Sequence, residues 1–228
     1  SAENSLPGLK EKIDQDNTET RQLKKELEIE LIENTSESTK EKSAVKRENL
    51  SFKNELTRIK IELLDARLNA NKALEEKIKV FEGYNTKLLE LASEIKKSKN
   101  LEENFFLVEE LWLKLARENY YDIIWNDNSL NLPHIPDFPK NENFKTEAIL
   151  KDYAELEKLR IEILKSHTQK KNQEIKLLNK LVTNSNSIRA SYYQELGHLH
   201  FFSSLGDFKS YTLLKNEVTA APLRIVSY

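Results

Sequence analysis

The chain has no cysteine and no methionine, and only four glycines and five prolines in 228 residues. Without cysteine there is no disulfide framework, no thiolate nucleophile and no thiolate-bound zinc, which suits a reducing compartment, cytoplasmic or nuclear. Four glycines leave few positions for tight turns or for close approach of backbone to a ligand, so Rossmann, P-loop and β-sandwich architectures are disfavoured. No apolar run approaches the ~18–20 residues of a membrane-spanning helix, and the first residues lack the basic flank and hydrophobic core of a secretion signal. Position 1 is Ser rather than Met, as expected of a processed chain or a piece of a longer one.

Charge of one sign is missing too. Lys and Arg number 36 against 38 Asp and Glu, a formal net charge of -2, and the isoelectric point is near 6.2. No overall attraction to nucleic acid follows, and any contact with an anionic membrane would have to come from a local patch.

What is present is helix-forming material. Ala, Glu, Lys, Leu and Arg make up about half of the chain, the range of coiled coils and long helices. With 32% charged residues and a mean hydropathy of -0.67, the apolar side chains can fill narrow seams rather than a thick core. The expected fold is all-α, an elongated coiled coil of long helices with a helical-bundle module toward the C-terminal half.

Four regions are expected. Residues 1–99 read as a coiled-coil region. Its first stripe, Leu9, Ile13, Asp16, Thr20, Leu23 and Leu27, keeps the four-three spacing of a heptad but places two polar residues in the seam. Residues 34–43 then lack any apolar side chain. Ser, Thr and Asn compete for their own backbone, so this stretch is either a loop that turns the first arm back as a hairpin or a frayed part of one rod.

From 45 to 98 the pattern is clearest. Phe52, Leu56, Ile59, Leu63, Leu74, Ile78, Phe81, Leu88 and Ile95 form a seam expected to be closed by another helix, from this chain or from a second one. Two four-residue steps in succession, Ala66 to Ala70 to Leu74, make a stutter that locally unwinds a supercoil.

Residues 100–145 hold an aromatic-rich helix and a proline-rich connector, with three prolines between Pro133 and Pro139 that impose extended backbone. Trp112, Tyr121, Trp125, Pro136 and Phe138 are candidates for docking a partner, because aromatic residues dominate interface hot spots; the competing reading is an internal core. Residues 146–205 read as one long helix from Thr146, packing back antiparallel to the first rod, or as two helices if the polar run 183–187 opens a loop. Residues 206–228 read as a glycine cap, a short helix and a tail.

Chemistry-bearing patterns are sparse. His198 and His200 lie about 200° apart on a helix and cannot grip one ion as an i, i+4 pair does. His134 and His167 have no companions at ligand spacing. Glu75-Glu76, Glu102-Glu103 and Glu109-Glu110 read as solvated helix faces. Lys165, Lys170 and Lys171 could line a strip for phosphates or anionic lipid head groups, although acidic neighbours dilute it. The sequence therefore implies a non-enzymatic structural or scaffolding protein, without metal or cofactor. Its expected partner is itself, as a homodimer, or another coiled-coil chain, and no nucleic acid. The alternatives are a membrane-binding curved helical dimer and the coiled-coil segment of a larger enzyme.

Overall fold

A computed structural model describes residues 5–97, 100–125, 130–138, 144 and 146–203, with side chains placed outside 119–125 and 200–203. Among these residues the protein is all-α, with no strand. The helices are α1 (Leu6–Lys40), α2 (Ala44–Ile95), α3 (Leu101–Trp125) and α4 (Glu147–Ser203). The side chains of Tyr121, Trp125, His200, Phe201 and Phe202, and the expected cap, short helix and tail after Ser203, lie outside the described residues.

Local chemistry explains four of the boundaries. Ser5 caps α1 by accepting from the Gly8 N–H at 3.2 Å, with Pro7 in the first turn where its missing donor costs nothing. Residues 34–43, expected as a loop or a frayed rod, split between the two: helix persists to Lys40, and only 41–43 turn the chain. Thr35 and Thr39 bond back to the carbonyls of Leu31 and Ser36, so the polar run keeps helical geometry. Asn100 takes φ 51°, the left-handed conformation that Asn tolerates better than most residues, and its carbonyl accepts from Asn104 in the first turn of α3. Thr146 caps α4, accepting from Ile149 N–H at 3.3 Å, where the sequence places the start of that helix.

Helix α1 folds back antiparallel on α2. Lys10 faces Glu82, Asn17 faces Glu75, Lys24 faces Asp65 and Lys53 faces Glu30, so one number rises as the other falls. Between α2 and α4 the numbers rise together: Lys60 with Glu155, Asn71 with Lys170, Lys77 with Glu174, Leu91 with Tyr192. The two long helices are therefore parallel, which corrects the antiparallel arrangement expected from their matching lengths.

The reason lies in the crossover. A chain leaving the end of α2 must travel back along its length before α4 can run beside it. Helix α3 covers about 37 Å of that return at ~1.5 Å per residue. Residues 130–138, extended by their prolines, add about 28 Å at ~3.1 Å per residue. The connector is long because it completes this return. It is packed rather than loose: Ile135 is buried, Phe138 meets Phe52 and Tyr153 edge-on, and the Tyr153 hydroxyl donates to the Pro136 carbonyl at 3.1 Å.

Three apolar clusters follow one another along the rod. Phe81, Leu88, Leu91, Val108, Leu111, Leu115, Leu178, Leu181 and Tyr192 join α2, α3 and α4. Leu9, Ile13, Leu74, Ile78 and Leu177 join α1, α2 and α4. Leu27, Leu56, Ile59, Leu63, Leu64, Leu156 and Ile163 join the same three helices further along, with Ile135 of the connector. The seam read as an association surface is thus occupied from inside. Leu56, Ile59, Leu63, Leu74, Ile78, Phe81 and Leu88 are buried, with Phe52 and Ile95 partly so, against helices of the same chain. Each such side chain contributes roughly 1.5–3 kcal/mol, and the rod needs no second chain to cover this stripe.

Candidate functional site

Between the second and third apolar clusters the core turns polar. The two polar seam positions of α1, Asp16 and Thr20, are buried. Thr20 satisfies itself by donating to the Asp16 carbonyl at 2.6 Å. The Asp16 carboxylate needs partners, and they come from both long helices. Arg67 donates through Nε at 3.0 Å and through Nη2 to the other oxygen, Asn71 donates at 2.7 Å, and Lys170 of α4 donates through Nζ.

The network closes on itself. Asn71 donates to Asn17 Oδ1 at 2.8 Å and accepts from Lys170 at 2.6 Å, while Asn17 donates to Glu75 at 2.7 Å. One carboxylate therefore faces a guanidinium and an ammonium, with Glu75 two amides away. Burial works to raise the Asp16 pKa, but the hydrogen bonds from Lys170, Asn71 and Arg67 outweigh it and hold the group below the usual carboxylate value. Lys170 moves down from its ordinary value because burial opposes its charge and Arg67 repels it, against the pull of Asp16.

One turn along, Glu174 is fully buried between Lys77 at 3.0 Å and Lys171 at 2.8 Å. His167 sits beside this group with Nδ1 buried and without a hydrogen-bond partner. Burial first, then repulsion from Lys171 and Lys170, lowers its pKa. Among the described residues no three His, Cys, Asp or Glu side chains gather as a metal site would require.

This arrangement ties α1 to α2 and α4 through one carboxylate. Asp16 Oδ2 accepts three donors and Oδ1 one, all from the two long helices. A buried ion pair of this kind is a weak source of net stability, because desolvation offsets the attraction, but breaking it is costly. Any register of α1 that fails to bring Asp16 to Arg67 and Lys170 buries uncompensated charge.

A second polar feature lies at the α3 end. Arg189, 6% exposed, bonds Glu109 through Nε and stacks with its guanidinium carbon 4.2 Å from the centre of the Trp112 ring. Phe105 meets Tyr193 at 4.6 Å beside it. Trp112, offered by the sequence for docking, instead belongs to this internal stack, and Glu109 is an inward partner rather than a solvated one.

The other docking candidates that can be traced, Pro136 and Phe138, are engaged by Tyr153 and Phe52 inside the chain. The basic strip separates as well. Lys170 points into the core and Lys171 is held by Glu174, which leaves Lys165 alone of the three exposed. A strip needs its charges on one outer face, and a carboxylate in α1 draws Lys170 to the opposite one. No helix among the described residues is long and apolar enough to cross a membrane.

Asp16, Asn17, Arg67, Asn71, Glu174 and Arg189 were not singled out as site residues by sequence. A signal existed for two of them. Asp16 stands at a seam position, and Asn71 follows Ala70 in the stutter, where small residues let neighbouring helices come close. No protein-family model, curated protein or solved structure matches the chain.

Proposed function

We propose that the chain is a structural or scaffolding element, a stiff helical rod that sets the separation of the components it joins and assembles through faces its own core leaves open. One observation carries this reading. The long-helix seams close within the chain, yet large apolar side chains project outward along the rod: Phe106 is 71% exposed and Ile32 70%, and Leu113, Leu150, Ile161 and Leu164 are also exposed. Single exposed apolar residues are ordinary, whereas a recurring set on outer helix faces is the pattern of a chain that associates.

The function is geometric. Apolar faces supply association at about 25 cal/mol per Å² removed from water, and flanking Glu and Lys choose partner and register. By architectural analogy alone, cytoskeletal, kinetochore, spindle-pole and tethering assemblies use such parts. The absence of cysteine fits a reducing intracellular location.

Light scattering coupled to size exclusion, together with small-angle X-ray scattering, tests the proposal. An extended particle with the mass of an oligomer is the expected result. A compact monomer with a globular radius overturns it. Liposome co-sedimentation addresses the membrane alternative, which the inward course of Lys170 and Lys171 disfavours.

A further inference from the structure

The turn between α1 and α2 is made by residues that do not require it. From Leu9 to Glu82 the sequence holds neither glycine nor proline. Glu41 and Ser43 have φ of -72° and -76°, already close to helical values, and it is their ψ of 128° and 122° that bends the chain. Glu41 N–H still donates to the Glu37 carbonyl and Arg47 N–H to that of Ser43, each at 3.0 Å, so the helical ladder stands on both sides of the turn. Rotation about ψ would let the N–H groups of Lys42 to Lys46 reach the carbonyls of Ser38 to Lys42. Against this stand the bonds that belong to the turn, Ser43 N–H donating to the Glu41 carboxylate at 2.9 Å and Lys46 N–H donating to the Ser43 hydroxyl at 3.5 Å.

Beside the turn the two arms share no apolar core. From Glu28 to Lys53 no apolar side chain is buried. Lys53 pairs with Glu30 at 3.1 Å and Asn54 reaches Thr35 at 3.4 Å, polar contacts that hold an opening weakly. The selective contacts of α1 lie farther from the turn. Leu9 and Ile13 meet Leu74, Ile78 and Leu177, and Asp16 meets Arg67, Asn71 and Lys170.

We propose that α1 is an exchangeable arm: two copies of the chain straighten at Glu41–Ser43, and each lays its α1 in the groove that α2 and α4 form in the other. This inference rests on the scaffold reading and gives it a joint. What selects the second copy is the complementarity already present within one chain. The incoming Asp16 takes the same guanidinium, amide and ammonium, in the one register that satisfies it. The exchange keeps every contact of α1 and adds helical bonds across the straightened turn. Only the higher effective concentration of an arm tethered to its own groove opposes it, so protein concentration drives the exchange. Leu6 to Ile95 then form one helix of about 135 Å at ~1.5 Å per residue, against about 78 Å for α2 alone.

The test is sedimentation equilibrium with small-angle X-ray scattering on the full chain, refolded from urea at rising concentration. The expected result is a dimer, longer than the monomer, whose fraction grows with concentration. Lys42→Pro suits the turn, because the residue before a proline is held extended as Glu41 already is, and it breaks a continuous helix. It should leave the monomer folded and weaken the dimer by about a hundredfold or more. Ser43→Ala removes a cap that only the turn uses and should strengthen the dimer by about tenfold.

Charge reversal separates exchange from contact between outer surfaces. Asp16→Lys in one chain, and Arg67→Glu with Lys170→Glu in another, each mismatch their own layer, whether closed or self-paired. Mixed, they should form a one-to-one dimer in which Asp16 meets Arg67 and Lys170 in one groove and the reversed arm meets the reversed groove in the other. If these variants fail to fold even when mixed, the turn substitutions decide, since they leave the core untouched. A dimer that Lys42→Pro does not weaken overturns the exchange and leaves the scaffold reading standing. A monomer at every attainable concentration also overturns it, and if that monomer is compact the scaffold reading falls with it.

Discussion

Two stretches of α4 solve the same packing problem differently. Toward its C-terminus, α4 meets α2 and α3 through Leu178, Leu181, Val182, Tyr192 and Leu196, an apolar surface onto which Leu111 and Leu115 press. Nearer its middle it meets α1 and α2 through a lysine held by a carboxylate. Apolar surface is tolerant of sliding, because one leucine replaces another at little cost, whereas the Asp16 layer is satisfied in a single register. The first kind of contact supplies stability and the second supplies uniqueness, a division seen where buried polar groups fix register.

Substitutions can break that contrast. Asp16→Ala strands Arg67 and Lys170 in the core and should cost about 3–5 kcal/mol in urea denaturation. The exchange of Asp16, Arg67, Asn71 and Lys170 together for Leu or Met should recover most of that stability. It should also broaden the α1 amide spectrum, since α1 could then slide on α2. If the apolar variant keeps one sharp set of signals, the layer does not set register.

Leu115→Ala at the apolar end should cost about 2–5 kcal/mol through the cavity it leaves, without disturbing α1. Tyr192→Phe removes the hydroxyl that donates to the Leu91 carbonyl at 2.6 Å and should lower stability by about 1 kcal/mol.

Acid sharpens the comparison further. Because the folded pKa of Asp16 lies below its unfolded value of 3.8, its contribution is complete above that pH and fades as pH falls toward the folded value. His167 is also depressed, from 6.5. The unfolded chain takes up its proton first, so stability begins to decline as pH drops below about 6.5. Thermal melts across pH 7 to 3 should show both limbs. His167→Gln should erase the upper limb alone, the smallest of these effects, and an unchanged profile would remove His167 from the account.

Much of the architecture was legible in the chain, and the residues show why. The stripe from Phe52 to Ile95 announced α2, Thr146 announced the start of α4, and the uninterrupted pattern beyond it announced one long helix. The run 183–187, judged weak for its polarity, stays helical because Thr183 and Ser185 bond back to the carbonyls of Asn179 and Val182, and Ser185 is small enough to be fully buried.

Direction was not legible. A match in length cannot distinguish parallel from antiparallel neighbours, and the decisive fact, that α3 and an extended connector together span the return path, depends on where α3 packs. The polar layer was half visible. Asp16 stood in the seam as an apparent defect, but its partners lie 51 and 154 residues away, and no local spacing rule reaches that far. Lys170 was read by its neighbours in sequence, Lys165 and Lys171, rather than by the carboxylate across the core.

That span in sequence has a consequence for birth on the ribosome. At roughly 5–20 residues per second, Asp16 is made some 8–30 s before Lys170, 154 residues later. Once α2 is complete, the nascent hairpin of α1 and α2 exposes one whole side, with Arg67 as the carboxylate's guanidinium partner and no ammonium yet available. Until α4 arrives, that side of the growing hairpin lacks the cover that Leu156, Ile163 and Leu177 later give it.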